Sequence, residues 1–178
     1  KLVPFGEFLP LEKFLKNLGM KTITNFYNSY STGEKRDVIN LQKQQFDISF
    51  LPLICYEIIY SGNLSKEKNY DLIINISEDG WFGKSIGPHQ HFSHSIFRSI
   101  EEGKSIIRST NNGTSALIDP YGQISKKSES TYEGVIEINQ IKIAKKTFFS
   151  NYGNNMFFYF IVIYISLIFF LKKSREIK

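Results

Sequence analysis

Apolar and polar positions along the chain follow a pattern that predicts a sheet with helices packed against it. Apolar runs over residues 46–54, 70–76 and 104–110 are typical of buried strands. A further run over residues 132–139 predicts a last strand, whereas residues 11–45 are polar enough to favour solvated hairpins and loops. Strands that alternate with helical segments favour parallel pairing, so the predicted fold class is α/β.

One helix is predicted between the second and third strands. Pro88 is suited to its first turn, and the pattern ends near Gly103. Three apolar residues recur at spacings of four, with a fourth beside them, as expected for one face of an α-helix. The stripe consists of Phe92, Ile96, Phe97 and Ile100. This face is expected to pack on the sheet.

The C-terminal part of the chain predicts a membrane anchor. Residues 156–171 carry no charge, and as a helix they cover roughly 24 Å of a hydrocarbon core that is about 30 Å thick. Residues 151–155 are expected to be a linker, and residues 172–178 form a basic tail. Because basic residues mark the cytoplasmic side, the tail is expected in the cytoplasm. Residues 1–150 are then expected to lie across the membrane, outside the cytoplasm.

Charge and cysteine content narrow the function classes. The net charge is +5, and four basic residues and one acidic residue occupy the last seven positions, so a nucleic-acid-binding patch on the folded domain is not expected. The single cysteine, Cys55, excludes an internal disulfide and a multi-cysteine metal site. It is either an inert buried thiol or a nucleophile. A free thiol outside the cytoplasm favours the second interpretation.

Polar residues follow three of the predicted strands. Cys55, the segment 77–81 and the segment 110–112 each come directly after an apolar run. Because ligands bind at the carboxyl ends of parallel strands, these three ends are expected to face one pocket. His89, His91 and His94 do not have the spacing or the neighbouring ligands of a metal site, and no metal or cofactor is expected.

Five ordered motifs resemble the carbon–nitrogen hydrolase (nitrilase) superfamily. They are LVPFGEFLP at 2–10, ICYEI at 54–58, NISEDGWFG at 75–83, the segment 87–113 and TSALIDPYG at 114–122. Within the superfamily, they look most like the bacterial enzymes that N-acylate apolipoproteins. The resemblance implies part of an αββα sandwich over residues 1–150, on the periplasmic side of a bacterial inner membrane, followed by one transmembrane helix.

The same resemblance implies a Glu–Lys–Cys triad, of which this chain holds only the cysteine. The family's lysine lies two residues before the position of Lys1, and its glutamate lies further upstream, so an N-terminal portion is expected to be missing. The candidate catalytic residues are Cys55, Glu7 and Glu57, and the candidate substrate-binding residues are Tyr56, Trp81 and Phe82. Glu7 would support the active site. Glu57 would either steer the incoming amine or hold its loop in shape.

The implied activity is transfer of a fatty acyl chain from a phospholipid to the N-terminal amine of an apolipoprotein through a cysteine thioester. Phospholipid, apolipoprotein, the membrane and an upstream fragment of the same enzyme are the expected partners, and this chain alone is expected to be inactive. One alternative is a membrane-anchored carbon–nitrogen hydrolase that acts on an amide. Another is a non-catalytic fragment of a split gene.

Overall fold

The computed structural model describes residues 36–43, 46–62, 64–128 and 134–176, together with Leu11, Phe14 and Asn17. Within these ranges, six strands form one mixed sheet, and their spatial order is their order along the chain. The strands are β1 (Ile39–Lys43), β2 (Phe46–Ile54), β3 (Leu72–Ser77), β4 (Ser105–Thr110), β5 (Ala116–Ile118) and β6 (Ile124–Lys127). The predicted α/β class is therefore confirmed.

The centre of the sheet is parallel and its edges are antiparallel. β2, β3 and β4 run in one direction, with Leu51 opposite Ile73 and Leu53 opposite Asn75. β1 pairs antiparallel with β2, and β5 and β6 continue antiparallel from β4. Parallel strands are usually covered on both faces and therefore read as continuous apolar runs, which is why these three were recognisable from the sequence.

Helical segments connect the strands and continue to the C-terminus. Two short 3₁₀ helices follow β2 and β3, at Cys55–Ile59 and Asp79–Phe82. The α-helices are α1 (Gly87–Glu102), α2 (Phe148–Tyr152) and α3 (Asn155–Glu176). Pro88 lies in the first turn of α1, and Gly103 ends it with a φ of 63°, a left-handed conformation that costs glycine little.

The helix was predicted correctly, but its buried face was not. Phe92 and Ile96 pack against the core, whereas Phe97 and Ile100 are 56% and 46% exposed. The most buried positions of α1 are polar; they are His91, Ser95, Arg98, Ser99 and Glu102. This face can be buried because its side chains find partners on the sheet and on the loops, and an apolar periodicity does not detect such pairing.

The prediction of a last strand over residues 132–139 was wrong for those of its residues that the structure describes. Residues 134–139 are not in a strand, and residues 131–133 lie outside the described residues. The sheet ends instead with β6, which pairs with β5 across a register shift at Leu117 and Ile118. All four residues of β6 are exposed. An exposed edge strand lacks the apolar alternation on which the prediction relied.

α3 extends the predicted apolar segment at both ends. It begins directly after Gly153 and Asn154, so most of the predicted linker 151–155 belongs to α2 or α3. The stretch Asn155–Lys173 is long and apolar enough to cross a membrane, by length and composition, and none of it is buried against the rest of the described chain.

Candidate active site

The three parallel strands end at one open cavity, as predicted. Its volume is about 510 Å³. The lining residues are Ile54, Cys55, Ile76, Ser77, Glu78, Ser109, Thr110 and Asn111, which come from the ends of β2, β3 and β4. Among these described lining residues there is no lysine or histidine. The cavity is therefore lined by a thiol, small hydroxyls, a carboxylate, an amide and two apolar side chains.

Cys55 has an unusual backbone conformation. Its φ is 47°, in the left-handed region that a residue with a Cβ adopts at a cost of about 1–2 kcal/mol. It lies where β2 turns abruptly into the 3₁₀ helix, and its Sγ is 3.9 Å from the carbonyl oxygen of Glu78. Such strain persists only where the surroundings enforce it, and it is concentrated at functional sites.

Glu57 enforces this turn from its outer side. One carboxylate oxygen accepts a hydrogen bond from the backbone N–H of Ile54 at 2.7 Å, and the other accepts from Nε of Arg36 at 2.9 Å. Arg36 also donates to the carbonyl oxygen of Leu64 at 2.9 Å. The Glu57 side chain therefore links the end of β2 to Arg36, and its role in the reaction stays a prediction.

Replacing Glu57 with alanine is expected to lower the free energy of unfolding by about 1–3 kcal/mol, because the Ile54 N–H and Nε of Arg36 lose the carboxylate that accepts their hydrogen bonds. Urea unfolding measures the change. Glu67→Ala is the matched control, because Glu67 is an exposed carboxylate outside the site. Equal effects of the two substitutions would contradict a role of Glu57 in holding the turn.

Asn75 supports Cys55 from beneath the sheet end. Its Nδ2 donates to the carbonyl oxygens of Leu53 at 3.1 Å and Cys55 at 3.4 Å. Its Oδ1 accepts a hydrogen bond from Nη1 of Arg108. Asn75 and Arg108 are both buried. One amide thus ties the backbone of the cysteine to the neighbouring strand.

Arg108 is neutralised by Asp79 at the base of the site. Its Nη2 lies 3.0 Å and 2.7 Å from the two carboxylate oxygens, and both side chains are 0% exposed. Ser77 donates to Asp79 at 2.7 Å, and Nδ1 of His91 lies 2.9 Å from the same carboxylate oxygen. We call Asn75, Ser77, Asp79, His91 and Arg108 the buried polar cluster.

The electrostatics of the cluster favour the ionised carboxylate. Burial acts to raise the pKa of Asp79, but hydrogen bonds from His91 and Ser77 and the charge of Arg108 outweigh it and hold the pKa well below its ordinary value. Asp79 therefore stays charged at neutral pH and compensates the guanidinium. A fixed ion pair of this kind gives the strand ends a rigid base.

The predicted substrate-binding side chains lie beside the cavity. The ring centroids of Tyr56 and Phe82 are 6.4 Å and 5.5 Å from that of His91, so these rings cover the buried polar cluster. Trp81 is 76% exposed. None of Tyr56, Trp81 and Phe82 is among the residues that line the cavity. Glu7 lies outside the described residues.

One member of the buried polar cluster, Asn75, was missed at the level of sequence. Asn75 interrupts an otherwise apolar strand, whereas Asp79 belongs to the segment 77–81 that was expected at the pocket. A polar residue at a buried strand position needs a partner, and this signal could have found Asn75. Arg108 joins β4 to Asn75 and Asp79 near the end of β3 and does not line the cavity.

The chain belongs to the carbon–nitrogen hydrolase family, whose pattern matches residues 1–144. Similar proteins named apolipoprotein N-acyltransferase occur in several bacteria. That of Brucella melitensis is 39% identical over 137 residues, covering 76% of this chain and 25% of the relative. That of Rickettsia typhi is 41% identical over 160 residues, covering 86% and 30%.

A third relative extends the similarity into the C-terminal helix. The apolipoprotein N-acyltransferase of Wigglesworthia glossinidia brevipalpis is 35% identical over 173 residues, covering 96% of this chain and 34% of the relative. This chain therefore spans between a quarter and a third of the length of these relatives.

Among solved structures, an amidase from Nesterenkonia sp. AN1 is similar. Its double mutant in complex with acrylamide is 14% identical, with a TM-score of 0.45, and the alignment covers 71% of this chain and 44% of the amidase.

Proposed function

We propose that the gene product containing this chain transfers a fatty acyl chain from a phospholipid to the N-terminal amine of apolipoproteins. The observation that carries the proposal is the strained Cys55 at the mouth of an open cavity, in a chain whose relatives at 35–41% identity are named apolipoprotein N-acyltransferase. Residues outside this chain would supply the base and the ammonium group that activate the thiol, as the resemblance implies.

The reaction would proceed in two balanced steps. The Cys55 thiolate attacks the ester carbonyl carbon of the phospholipid, a C–S bond forms, and the ester C–O bond breaks. The lysophospholipid alkoxide leaves with a proton from the general acid. The free amine of the apolipoprotein then attacks the thioester, a C–N bond forms, and the C–S bond breaks to restore the thiol. Two moderate barriers thus replace one high barrier.

The remaining site residues have proposed roles in these steps. Tyr56 and Phe82 lie outside the cavity lining and would contact the acyl chain where it extends beyond the cavity, and the exposed Trp81 would contact the incoming lipid. Glu7 would orient the activating lysine. Glu57 would act through the backbone of the nucleophile turn. Ile54 and Ile76, which are 70% and 61% exposed at the cavity, offer the apolar surface that an acyl chain needs.

α3 favours a lipid substrate over a small soluble amide. Its apolar surface is exposed along its length, which suits a helix in a bilayer. An amidase that takes its substrate from water has no need of such a helix. Lys172 and Lys173 at its C-terminal end favour a cytoplasmic tail, with residues 1–150 across the membrane. The segment 156–171 would be the membrane span, and 172–178 the tail.

Incubation of the gene product with phospholipid vesicles is expected to yield one acyl adduct on Cys55. Intact-mass analysis detects the adduct, and hydroxylamine should remove it, because thioesters are cleaved by this reagent. A peptide with a free N-terminal amine should then accept the acyl chain. The control is Cys55→Ala, in which the adduct should be absent.

Two results would contradict the proposal. An adduct that persists in Cys55→Ala would place the acyl group elsewhere. An enzyme that releases ammonia from amides but forms no adduct with phospholipid would favour a carbon–nitrogen hydrolase instead.

A further inference from the structure

The turn that follows the nucleophile is bonded to the start of the membrane helix. Nδ2 of Asn154 donates to the carbonyl oxygen of Ser61 at 2.9 Å, although 93 positions separate the two residues. Asn154 directly precedes α3, and Ser61 lies two residues beyond the 3₁₀ helix that begins at Cys55. We call Ser61, Gly62, Gly153 and Asn154 the anchor junction.

Two glycines let the backbones in the anchor junction touch. A Cβ on Gly62 would lie 2.9 Å from the backbone nitrogen of Asn154, and a Cβ on Gly153 would lie 2.7 Å from the carbonyl oxygen of Gly62. Both glycines have a positive φ, of 70° and 53°. Close approach and left-handed conformation together require glycine at these positions.

α1 fixes the same turn from a second direction. Nη1 of Arg98 donates to the carbonyl oxygen of Ile59 at 3.2 Å, and Ser61 Oγ donates to the carboxylate of Glu101 at 3.0 Å. The backbone carbonyl oxygen of Glu101 accepts a hydrogen bond from Oγ1 of Thr147, the residue that caps α2. The nucleophile segment and the segment leading to α3 are therefore held by one helix.

The connection between nucleophile and membrane helix is short. A 3₁₀ helix rises about 2 Å per residue, so the six-residue step from Cys55 to Ser61 corresponds to roughly 12 Å. Aromatic rings surround the base of α3: the centroids of Tyr152 and Tyr159 are 6.2 Å apart, and Phe148 lies against Tyr152 at 4.4 Å. Such rings are enriched where a helix enters a bilayer interface.

We propose that the anchor junction holds Cys55 at a fixed position relative to the bilayer, so that the cavity meets the ester groups of membrane lipids. This rests on the proposed function, since it takes a bilayer phospholipid as the acyl donor. Ser61, Gly62 and Asn154 are positioning residues here, because they touch neither the thiol nor the substrate. Loosening the junction leaves the thiol intact but lets the membrane helix swing away from it.

The test compares a bilayer substrate with a soluble one. The gene product is prepared as Asn154→Ala, which removes one hydrogen bond, and as Gly62→Val, which forces the two backbones apart. Thioester formation at Cys55 is measured with phospholipid vesicles and with p-nitrophenyl acetate in solution. We expect the rate with vesicles to fall at least tenfold, and the rate with the soluble ester to change less than twofold. The matched control is Asn151→Ala, because within the described residues Asn151 donates to the carbonyl oxygen of Thr147 in its own helical turn, at 3.3 Å.

A distance measurement tests the junction independently of activity. Spin labels at Cys55 and at Val162→Cys in α3, with any other cysteine replaced by serine, are expected to give one narrow distance distribution. This distribution should widen in Asn154→Ala and Gly62→Val, and it should stay narrow in Asn151→Ala.

The outcomes separate the two proposals. An unchanged distance distribution in both junction variants, or equal rate losses with both substrates, would overturn the role of the anchor junction. A wild-type protein that reacts with the soluble ester but never with phospholipid would refute the proposed function. In that case the spin-label distances would still decide whether the junction positions Cys55.

Discussion

Replacing Asp79 with alanine is expected to lower the free energy of unfolding by about 3–5 kcal/mol. The substitution leaves the Arg108 guanidinium, which is 0% exposed, without its carboxylate partner. It also removes the carboxylate oxygen that accepts a hydrogen bond from Ser77 and lies next to Nδ1 of His91. Urea unfolding of the gene product in detergent, followed by circular dichroism, measures the loss.

The double variant Asp79→Ala, Arg108→Leu is the control for this mechanism. It removes the stranded charge together with its partner and is expected to recover about 1–3 kcal/mol relative to Asp79→Ala alone. If the two residues act independently, the losses in the free energy of unfolding from the two substitutions will add. The double variant will then be less stable than Asp79→Ala alone. The ion pair would then not explain the effect.

The same ion pair predicts the direction of the pH dependence. The folded-state pKa of Asp79 lies below its unfolded value, so its contribution to stability is complete above the ordinary aspartate pKa of about 3.9. This contribution is lost as the pH falls through the folded-state value. The stability difference between wild type and Asp79→Asn should therefore shrink in acid and stay constant near neutral pH.

Substitutions of Cys55 are expected to separate activity from stability. Cys55→Ala and Cys55→Gly should both reduce acyl transfer by at least about 10³-fold, because no other described group in the cavity supplies a thiol nucleophile. Their stabilities should differ. Glycine accepts the φ of 47° without the Cβ clash, so Cys55→Gly is expected to be more stable than Cys55→Ala by about 1 kcal/mol.

The comparison between these two variants isolates the backbone strain, since both lack the thiol. Thermal unfolding of the two proteins under one set of conditions measures it. If Cys55→Ala is as stable as Cys55→Gly, the left-handed turn carries no strain. Backbone strain at this turn would then not explain how the Cys55 thiol is presented to the cavity.

The sequence by itself determined the elements whose signal is local. The apolar runs that became β2, β3 and β4, the helix bounded by Pro88 and Gly103, and the uncharged segment of α3 all read directly from residue type and spacing. The expectation that three strand ends meet also followed, because parallel strands place their carboxyl ends at one edge. The ordered motifs indicated the family before any contact was known.

Tertiary structure alone decided the features that depend on partners distant along the chain. The buried face of α1 is polar because Arg98 reaches Ile59 and His91 reaches Asp79, and no periodicity within the helix encodes such pairs. β6 lacks an apolar pattern because it is exposed, and it exists only through its pairing with β5.

Partners distant along the chain also determine the geometry of the candidate active site. The left-handed turn at Cys55 is held by Glu57 close by in the chain, but also by Asn75, which Arg108 holds in turn. The contact of Asn154 with Ser61 spans 93 positions. A hydrogen bond or ion pair forms wherever the fold brings two groups together, so its partners cannot be derived from local sequence. Residue types determined which reactive and hydrogen-bonding groups the chain contains. Only the folded chain determined which of these groups lie together at the site.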